Sequence, residues 1–263
     1  MKNTNWAIVT GASSGIGKEF AQIFAQNQVN LVISSRNENA LVSLADELTA
    51  KHNIKVLIYP TDLSVQSHVV DFVEFVADNK ITPEYLINNA GFGDFGFFTQ
   101  SNWSKEEKMI DLNMKTLTYL TKIYASQMKL RGSGKIVNVA SGAAFQPGPL
   151  MAIYFATKAY VLHFSEAISE ELSGTGVTVT ALCPGPTESN FWKAAGKING
   201  ISFVTGSMPT SRTVAEYGYQ AMMKGKRVAV QGLGNQLGAF FVHFLPRRLV
   251  TRLIYLGQSS GLK

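Results

Sequence analysis

Apolar residues along the chain fall into two alternating kinds of segment. Short runs rich in Val, Ile, Leu and Ala at 6–10, 30–34, 55–60, 85–88, 135–140, 177–183 and 227–231 read as strands apolar on both faces. Longer stretches between them carry the 3.6-residue period of helices that pack along one side, as Leu41, Leu44, Ala45 and Leu48 do. Strand and helix in regular succession predict an α/β fold, a doubly wound parallel sheet of about seven strands with helices on both faces. No repeat, low-complexity tract or Pro/Ser-rich linker interrupts the succession, so one domain is expected over residues 1–263.

Polar residues mark where helices start. Asn37 precedes the Leu41 stripe, and Ser104 with Glu107 and Thr213 with Glu216 have the spacing of capping boxes. Residues 184–209 keep neither period and are too long for a simple connection, which suggests a substrate lid. Beyond Gly234, Leu237, Phe240, Phe241, Phe244 and Leu245 recur at helical spacing, Pro246 breaks the pattern, and Leu249, Val250, Leu253 and Ile254 resume it. Residues 233–263 therefore read as an extension of two short amphipathic helices broken at the proline. Their apolar stripe could pack on the protein itself, on a sister subunit or in an anionic membrane interface.

Composition narrows the class. Hydrophobic residues make up 46% of the 263 and charged residues 16%, which excludes a disordered chain, and no apolar run is long enough to span a bilayer. Met1 to Asn5 leave no room for a signal peptide ahead of the first strand, and the single cysteine, Cys183, cannot form an internal disulfide; both lead us to expect a cytoplasmic protein. No His/Cys cluster has metal-ligand spacing, so no metal site is expected. The net charge of +6 is concentrated in the tail: beyond Glu216 there is no acidic residue, and seven of the 24 basic ones lie there, leaving 17 against 18 acidic elsewhere. A near-neutral body argues against a nucleic-acid partner.

The first strand runs into Thr10-Gly11-Ala12-Ser13-Ser14-Gly15-Ile16-Gly17 and then a helical stretch. Glycines there let the backbone turn tightly and approach a pyrophosphate, whose charge the amides at the helix N-terminus can hold. The second strand ends in Ser34-Ser35-Arg36 with no carboxylate, so Arg36 is suited to the 2′-phosphate of NADP(H) rather than to the ribose hydroxyls of NAD(H). Tyr154 and Lys158 stand four apart at helical period, so an ammonium can lie near the phenol and favour its ionised form. Ser141, just after the fifth strand, can offer a hydroxyl to a substrate oxygen as charge develops on it.

Together with Asp62, Asn88-Asn89-Ala90-Gly91, Asn113 and Pro184-Gly185, in this order and spacing, these motifs resemble the short-chain dehydrogenase/reductase family over residues 6 to about 232. The resemblance implies a Rossmann-type fold and a role for each position. Asp62, with Leu63 beside it, would touch the adenine. Asn89, Ala90 and Gly91 would hold the fourth strand against the cofactor, and Pro184, Gly185 and Thr187 would flank the carboxamide. Asn113 would position a water in a proton relay through Lys158, which would also bind the nicotinamide ribose. Ser141 would polarise the carbonyl and Tyr154 would exchange the proton. The family also implies a homodimer or homotetramer.

Phe92, Phe95, Phe97 and Phe98 after the Asn-Asn-Ala-Gly turn, with Phe191, Trp192, Ile198 and Phe203 in the long loop, suggest an apolar pocket. The expected function is hydride transfer between NADP(H) and a lipophilic ketone, ketoacyl compound or the corresponding secondary alcohol. The alternative is a catalytically silent nicotinamide-binding sensor or scaffold of the same fold.

Overall fold

Strands that are apolar on both faces need cover on both, and the chain supplies it. The computed structural model describes residues 5–189, 191–196 and 208–259. Its strands are β1 (Trp6–Thr10), β2 (Asn30–Ser35), β3 (Val56–Pro60), β4 (Tyr85–Asn88), β5 (Gly134–Val139), β6 (Val177–Cys183) and β7 (Val228–Val230). They form one sheet in the order β3-β2-β1-β4-β5-β6-β7, every neighbouring pair parallel. The doubly wound α/β sheet of seven strands expected from the alternation is the one observed, and it is the Rossmann type that the resemblance implies.

The helices, in chain order, are α1 (Gly15–Gln26), α2 (Glu38–His52), α3 (Gln66–Asp78), α4 (Trp103–Ile110), α5 (Leu117–Arg131), α6 (Ala152–Glu171), α7 (Phe191–Ala194), α8 (Ser211–Met223), α9 (Leu233–Phe241) and α10 (Arg247–Ser259). Strand side chains alternate between faces. Ala7, Val9, Leu31 and Ile33 pack with α1, α2 and α8, while Ile8, Val32, Leu86 and Ile136 pack with α3 and α5. Ala140, Ala181 and Cys183 meet α6 through Val161 and Leu162.

Two helix starts differ from the sequence reading. The cap of α4 is Asn102, whose Oδ1 accepts from the Lys105 amide at 3.3 Å, so Ser104 falls inside the first turn. Asparagine caps as well as serine, and the earlier start brings Glu106 under the Ser101 hydroxyl, 2.7 Å away. Thr210, not Thr213, caps α8; its Oγ1 accepts from the Thr213 amide at 3.2 Å. The added turn lets Arg212 bridge to α1 through Glu19 and Gln26. Asn37 caps α2 as expected, accepting from the Ala40 amide.

Strand order reverses between β1 and β4, which opens a crevice at their C-terminal ends where open α/β sheets take ligands. A buried polar chain braces the floor of that crevice. Asn88 Nδ2 donates to Thr121 Oγ1 and Asn138 Oδ1, and Asn138 Nδ2 donates to Ser165 Oγ, tying β4 and β5 to α5 and α6. Breaking any of these bonds would leave a desolvated polar group, so the chain favours one arrangement, although Asn88 Oδ1 at its end is buried without a partner among the described residues.

Candidate active site

The glycine-rich turn is shaped by contact from behind. Gly11 has φ +67°, its amide donates to Ser34 O at 2.8 Å, and Asn89 Nδ2 donates to the carbonyls of Thr10 and Gly11. Thr10 Oγ1 accepts from the amides of Asn89 and Ala90, locking the end of β4 to the end of β1. At Gly17 an added Cβ would sit 2.4 Å from both Asn89 Nδ2 and Gly11 O, so only glycine lets α1 approach this closely. No side chain caps α1 at Ser14, and its first-turn amides face the crevice for an anionic group to meet. Gly17→Ala should cost about 1–3 kcal/mol by overpacking and displace the turn, read as a lower urea midpoint together with weaker NADPH binding. Unchanged affinity would show that the turn does not touch the cofactor.

Arg36 lies exposed just beyond β2, with Asp62 across the crevice after β3. Burial alone would raise the Asp62 carboxyl, but bonds from the Ser64 amide and hydroxyl, with the charges of Arg36 and Lys108, hold it below its usual value. Asp62 is thus ionised at neutral pH and closes an Asx turn ahead of α3. No ion pair engages Arg36 among the described residues.

Asn113 sits in a π-helical turn, Asp111–Thr116, joining α4 to α5, a form that recurs at functional sites. Its Oδ1 accepts from the Phe92 amide while its Nδ2 donates to Phe92 O and Thr157 Oγ1. The side chain therefore clamps the turn after Gly91 to α6. Ser141 ends β5's extension, and its Oγ accepts from the Ala143 amide at 3.1 Å.

Tyr154 and Lys158 share the buried face of α6. Lys158 Nζ donates to Val139 O at 2.7 Å and lies 5.8 Å from the Tyr154 ring centroid. The expectation that this ammonium lowers the phenol is not met: burial pushes Tyr154 up to about 12, with the Ser141 hydroxyl pulling the other way. Burial likewise pulls Lys158 from the ordinary 10.5 down to about 8. Desolvation is the largest cause of both shifts, because both groups are buried on the same face of α6.

The sign of the Lys158 shift makes a stability prediction. Between about 8 and 10.5 the unfolded chain binds more protons than the folded one, so this residue makes stability rise with pH there. Below about 8 it imposes its full penalty, on the order of 3 kcal/mol at about 1.4 kcal/mol per pH unit. Lys158→Met should be more stable than the parent at pH 7 by about 2 kcal/mol after loss of the bond to Val139 O, and the gain should fade toward pH 10. Urea unfolding at both pH values tests it; a variant no more stable at pH 7 refutes a buried charge.

The residues expected from the sequence converge on one cavity of about 920 Å³. Gly11, Ser13, Ser14, Gly15, Ile16, Arg36, Asp62, Leu63, Asn89, Ala90, Gly91, Ser141, Tyr154, Lys158, Pro184, Gly185 and Thr187 all line it. Gly17 and Asn113 do not line it; they stand behind the wall and hold it in place. Phe92, Phe191 and Trp192 line it as well, with Tyr154 and Phe191 ring centroids 5.1 Å apart. Phe95 packs behind them, and Phe97 and Phe98 are exposed away from it. Ile198 and Phe203 lie outside the described residues, as do residue 190 and the rest of 197–207 in the predicted lid; the Glu188 amide at its start donates to Pro209 O at its end.

One wall was not anticipated. The tail forms the two helices expected, α9 and α10, but their inner side closes the cavity with Asn235, Phe241, Leu245, Leu253, Ile254 and Gln258. Asn235 lies so near Gly185 that a Cβ there would be 2.3 Å from its Nδ2, and His243 meets the Phe145 ring. The helical stripe was visible in the sequence, whereas what it faces is set by packing.

Comparison with known proteins places this geometry. The model of the short chain dehydrogenase family matches residues 5–199. An uncharacterized oxidoreductase of Staphylococcus epidermidis is 32% identical over 183 residues, covering 70% of this chain and 78% of the relative. A short-chain dehydrogenase from Sphingobium yanoikuyae, solved in complex with NADPH, is 30% identical with a TM-score of 0.81, over 90% of this chain and 92% of that one. The bulky-bulky ketone specific alcohol dehydrogenase from Comamonas testosteroni is 26% identical with a TM-score of 0.78, over 92% and 93%. An NAD(P)-dependent oxidoreductase acting between CH–OH and C=O, the chain belongs to the short-chain dehydrogenase/reductase family.

Proposed function

We propose that the protein is an NADP(H)-dependent reductase of a lipophilic ketone or ketoacyl compound, running as an alcohol dehydrogenase when the cofactor ratio reverses. The observation that carries this reading is the meeting of Ser141, Tyr154 and Lys158 on one wall, ringed by Phe92, Phe155, Phe191 and Trp192, in a cavity that also reaches Arg36. The glycine cradle and uncapped α1 fit a pyrophosphate held by residues 13–16, with Arg36 toward a 2′-phosphate and Asp62 and Leu63 toward the adenine. Asn89, Ala90 and Gly91 would line its middle, and Pro184, Gly185 and Thr187 its nicotinamide end.

When bound, the nicotinamide cofactor supplies the hydride. Ser141 donates a hydrogen bond to the carbonyl oxygen, drawing charge from the carbon that accepts the hydride. Tyr154, held as the phenol by burial, gives its proton to the same oxygen and completes the alcohol. The Lys158 ammonium offsets the charge left on the phenol oxygen, binds the ribose, and returns a proton from solvent. Asn113 keeps Gly91, Phe92 and α6 in register beside it. Aromatic walls favour bulky apolar substituents, because buried area supplies the binding free energy; the specificity of the Comamonas relative is in keeping with this.

Loss of NADPH absorbance against small ketones, bulky ketones, ketoacyl thioesters and aldehydes tests the proposal. We expect the bulky ketones and thioesters to give the highest kcat/KM. Saturable NADPH binding with no turnover on any of them would favour the sensor or scaffold reading instead. The same proposal takes the chain as one catalytic unit acting in the cytoplasm as a homodimer or homotetramer, with residues 233–259 as its side toward a membrane. No helix among the described residues is long and apolar enough to cross one.

A further inference from the structure

The tail has two unlike sides. Its inner side closes the cavity, and its outer side presents Leu237, Phe240, Phe244, Leu249 and Leu256, all between 51% and 71% exposed except Leu249 at 46%. Phe240 and Phe244 lie one turn apart with tilted rings whose centroids are 5.2 Å from each other, so an apolar ridge runs along α9 and into the turn that follows it. Arg247, Arg248 and Arg252 are exposed at the start of α10, and no ion pair engages them among the described residues. Nothing acidic follows Glu216 to neutralise them.

Phe241, Leu245 and Leu253 belong to both sides: they line the cavity yet are 55%, 43% and 49% exposed. The cavity thus reaches side chains of α9 and α10 that are also exposed beside the apolar ridge, and its lining there is mostly apolar, Val242, Val250 and Ile254 included, with Asn235 and Gln258 as the polar exceptions.

We propose that the outer face of α9 and α10 docks on an anionic lipid bilayer and that the substrate, a ketone dissolved in that bilayer, reaches Tyr154 through the gap between the two helices. The second half rests on the reading of the cavity as a reductase site; the docking does not. Charge selects the occupant. An isologous contact with a second copy would bring two sets of arginines onto a face with no carboxylate of its own, whereas phosphate headgroups complement them and leave the ridge among acyl chains. A peripheral helix pair gains from both apolar burial and headgroup charge, and loses the second contribution in salt.

The experiment uses the full chain. It should co-sediment with vesicles of phosphatidylglycerol and phosphatidylcholine, weakly with phosphatidylcholine alone, and less in high salt. Two variants, one carrying R247E, R248E and R252E and the other F240S and F244S, should each weaken vesicle affinity about tenfold or more, the first through lost headgroup charge and the second through lost apolar burial. Both should reduce a small water-soluble ketone at the parent rate, because none of these five residues lines the cavity. With a long-chain ketone carried in the vesicles, their apparent KM should rise about tenfold while kcat holds, following the loss of affinity. Absence of parental vesicle binding overturns the docking. Binding with a KM indifferent to the variants overturns the route. Variants that shift the oligomeric state without altering vesicle affinity assign the face to a second copy. Failure of the parent on every ketone while vesicle binding persists instead defeats the reductase reading and, with it, the route.

Discussion

Tyr154→Phe is expected to lower kcat for ketone reduction by about 10²–10⁴ while leaving NADPH affinity within roughly twofold. The substitution removes one oxygen and keeps the ring, whose contacts with Phe155 and Phe191 are edge and tilted packings that do not use the hydroxyl. Protein and cavity should therefore survive, and the loss should fall on the proton transfer alone. Direction matters too. Because burial pushes the phenol up to about 12, the donor form dominates through neutral pH and reduction needs no prior ionisation. Oxidation of the alcohol needs the ionised form, so its kcat/KM should climb with pH while that for reduction stays level across the neutral range. A Tyr154→Phe enzyme within tenfold of the parent, or a parent whose oxidation is flat in pH, would remove Tyr154 from the chemistry.

This behaviour was only half legible in the sequence. The pair Tyr154 and Lys158 is found by helical spacing, and spacing correctly places both on one face. Spacing does not report the dielectric around that face, and it is burial that sends the two pKa values apart instead of together. The strands were readable to within a residue or two because a parallel sheet covered on both faces leaves uninterrupted apolar runs, and Gly11 and Gly17 mark the turn because close contact there forbids a side chain. The caps at 102 and 210 were misplaced because several capping residues lie within one turn, and the choice goes with side-chain contacts, Glu106 to Ser101 and Arg212 to Glu19 and Gln26 on α1. Asn113 illustrates the limit from the other side. Its amide is engaged by the Phe92 backbone and Thr157, partners 21 and 44 residues away that no local pattern could supply. The inner face of the tail escaped for the same reason: an amphipathic stripe announces that something is covered, and only long-range packing says that it is the cavity.

Arg36→Asp is the second large expected effect, and it separates the cofactor choice from the chemistry. The guanidinium stands beyond the end of β2 with no ion pair among the described residues, beside Ser35 and Asn37 on the cavity wall, at the end of the sheet where the ribose of a bound dinucleotide is recognised. A hydrogen bond between ionised groups contributes about 1.5–3 kcal/mol, and a planar fork can make two to one phosphate. Replacing it by a carboxylate removes that attraction and sets like charge against the 2′-phosphate, so NADPH affinity should fall by about a hundredfold, roughly 3 kcal/mol. NADH carries hydroxyls at that position, which a carboxylate can accept from; its affinity should hold or improve. The Asp62 carboxyl, now without the nearby positive charge that helps keep it low, should titrate higher, an independent sign that Arg36 and Asp62 share one field. Titration of both cofactors by the quenching of protein fluorescence decides the matter. A hundredfold loss confined to NADPH supports the 2′-phosphate as the partner of Arg36, whereas equal losses for the two cofactors would mean that the arginine only shapes the end of the strand.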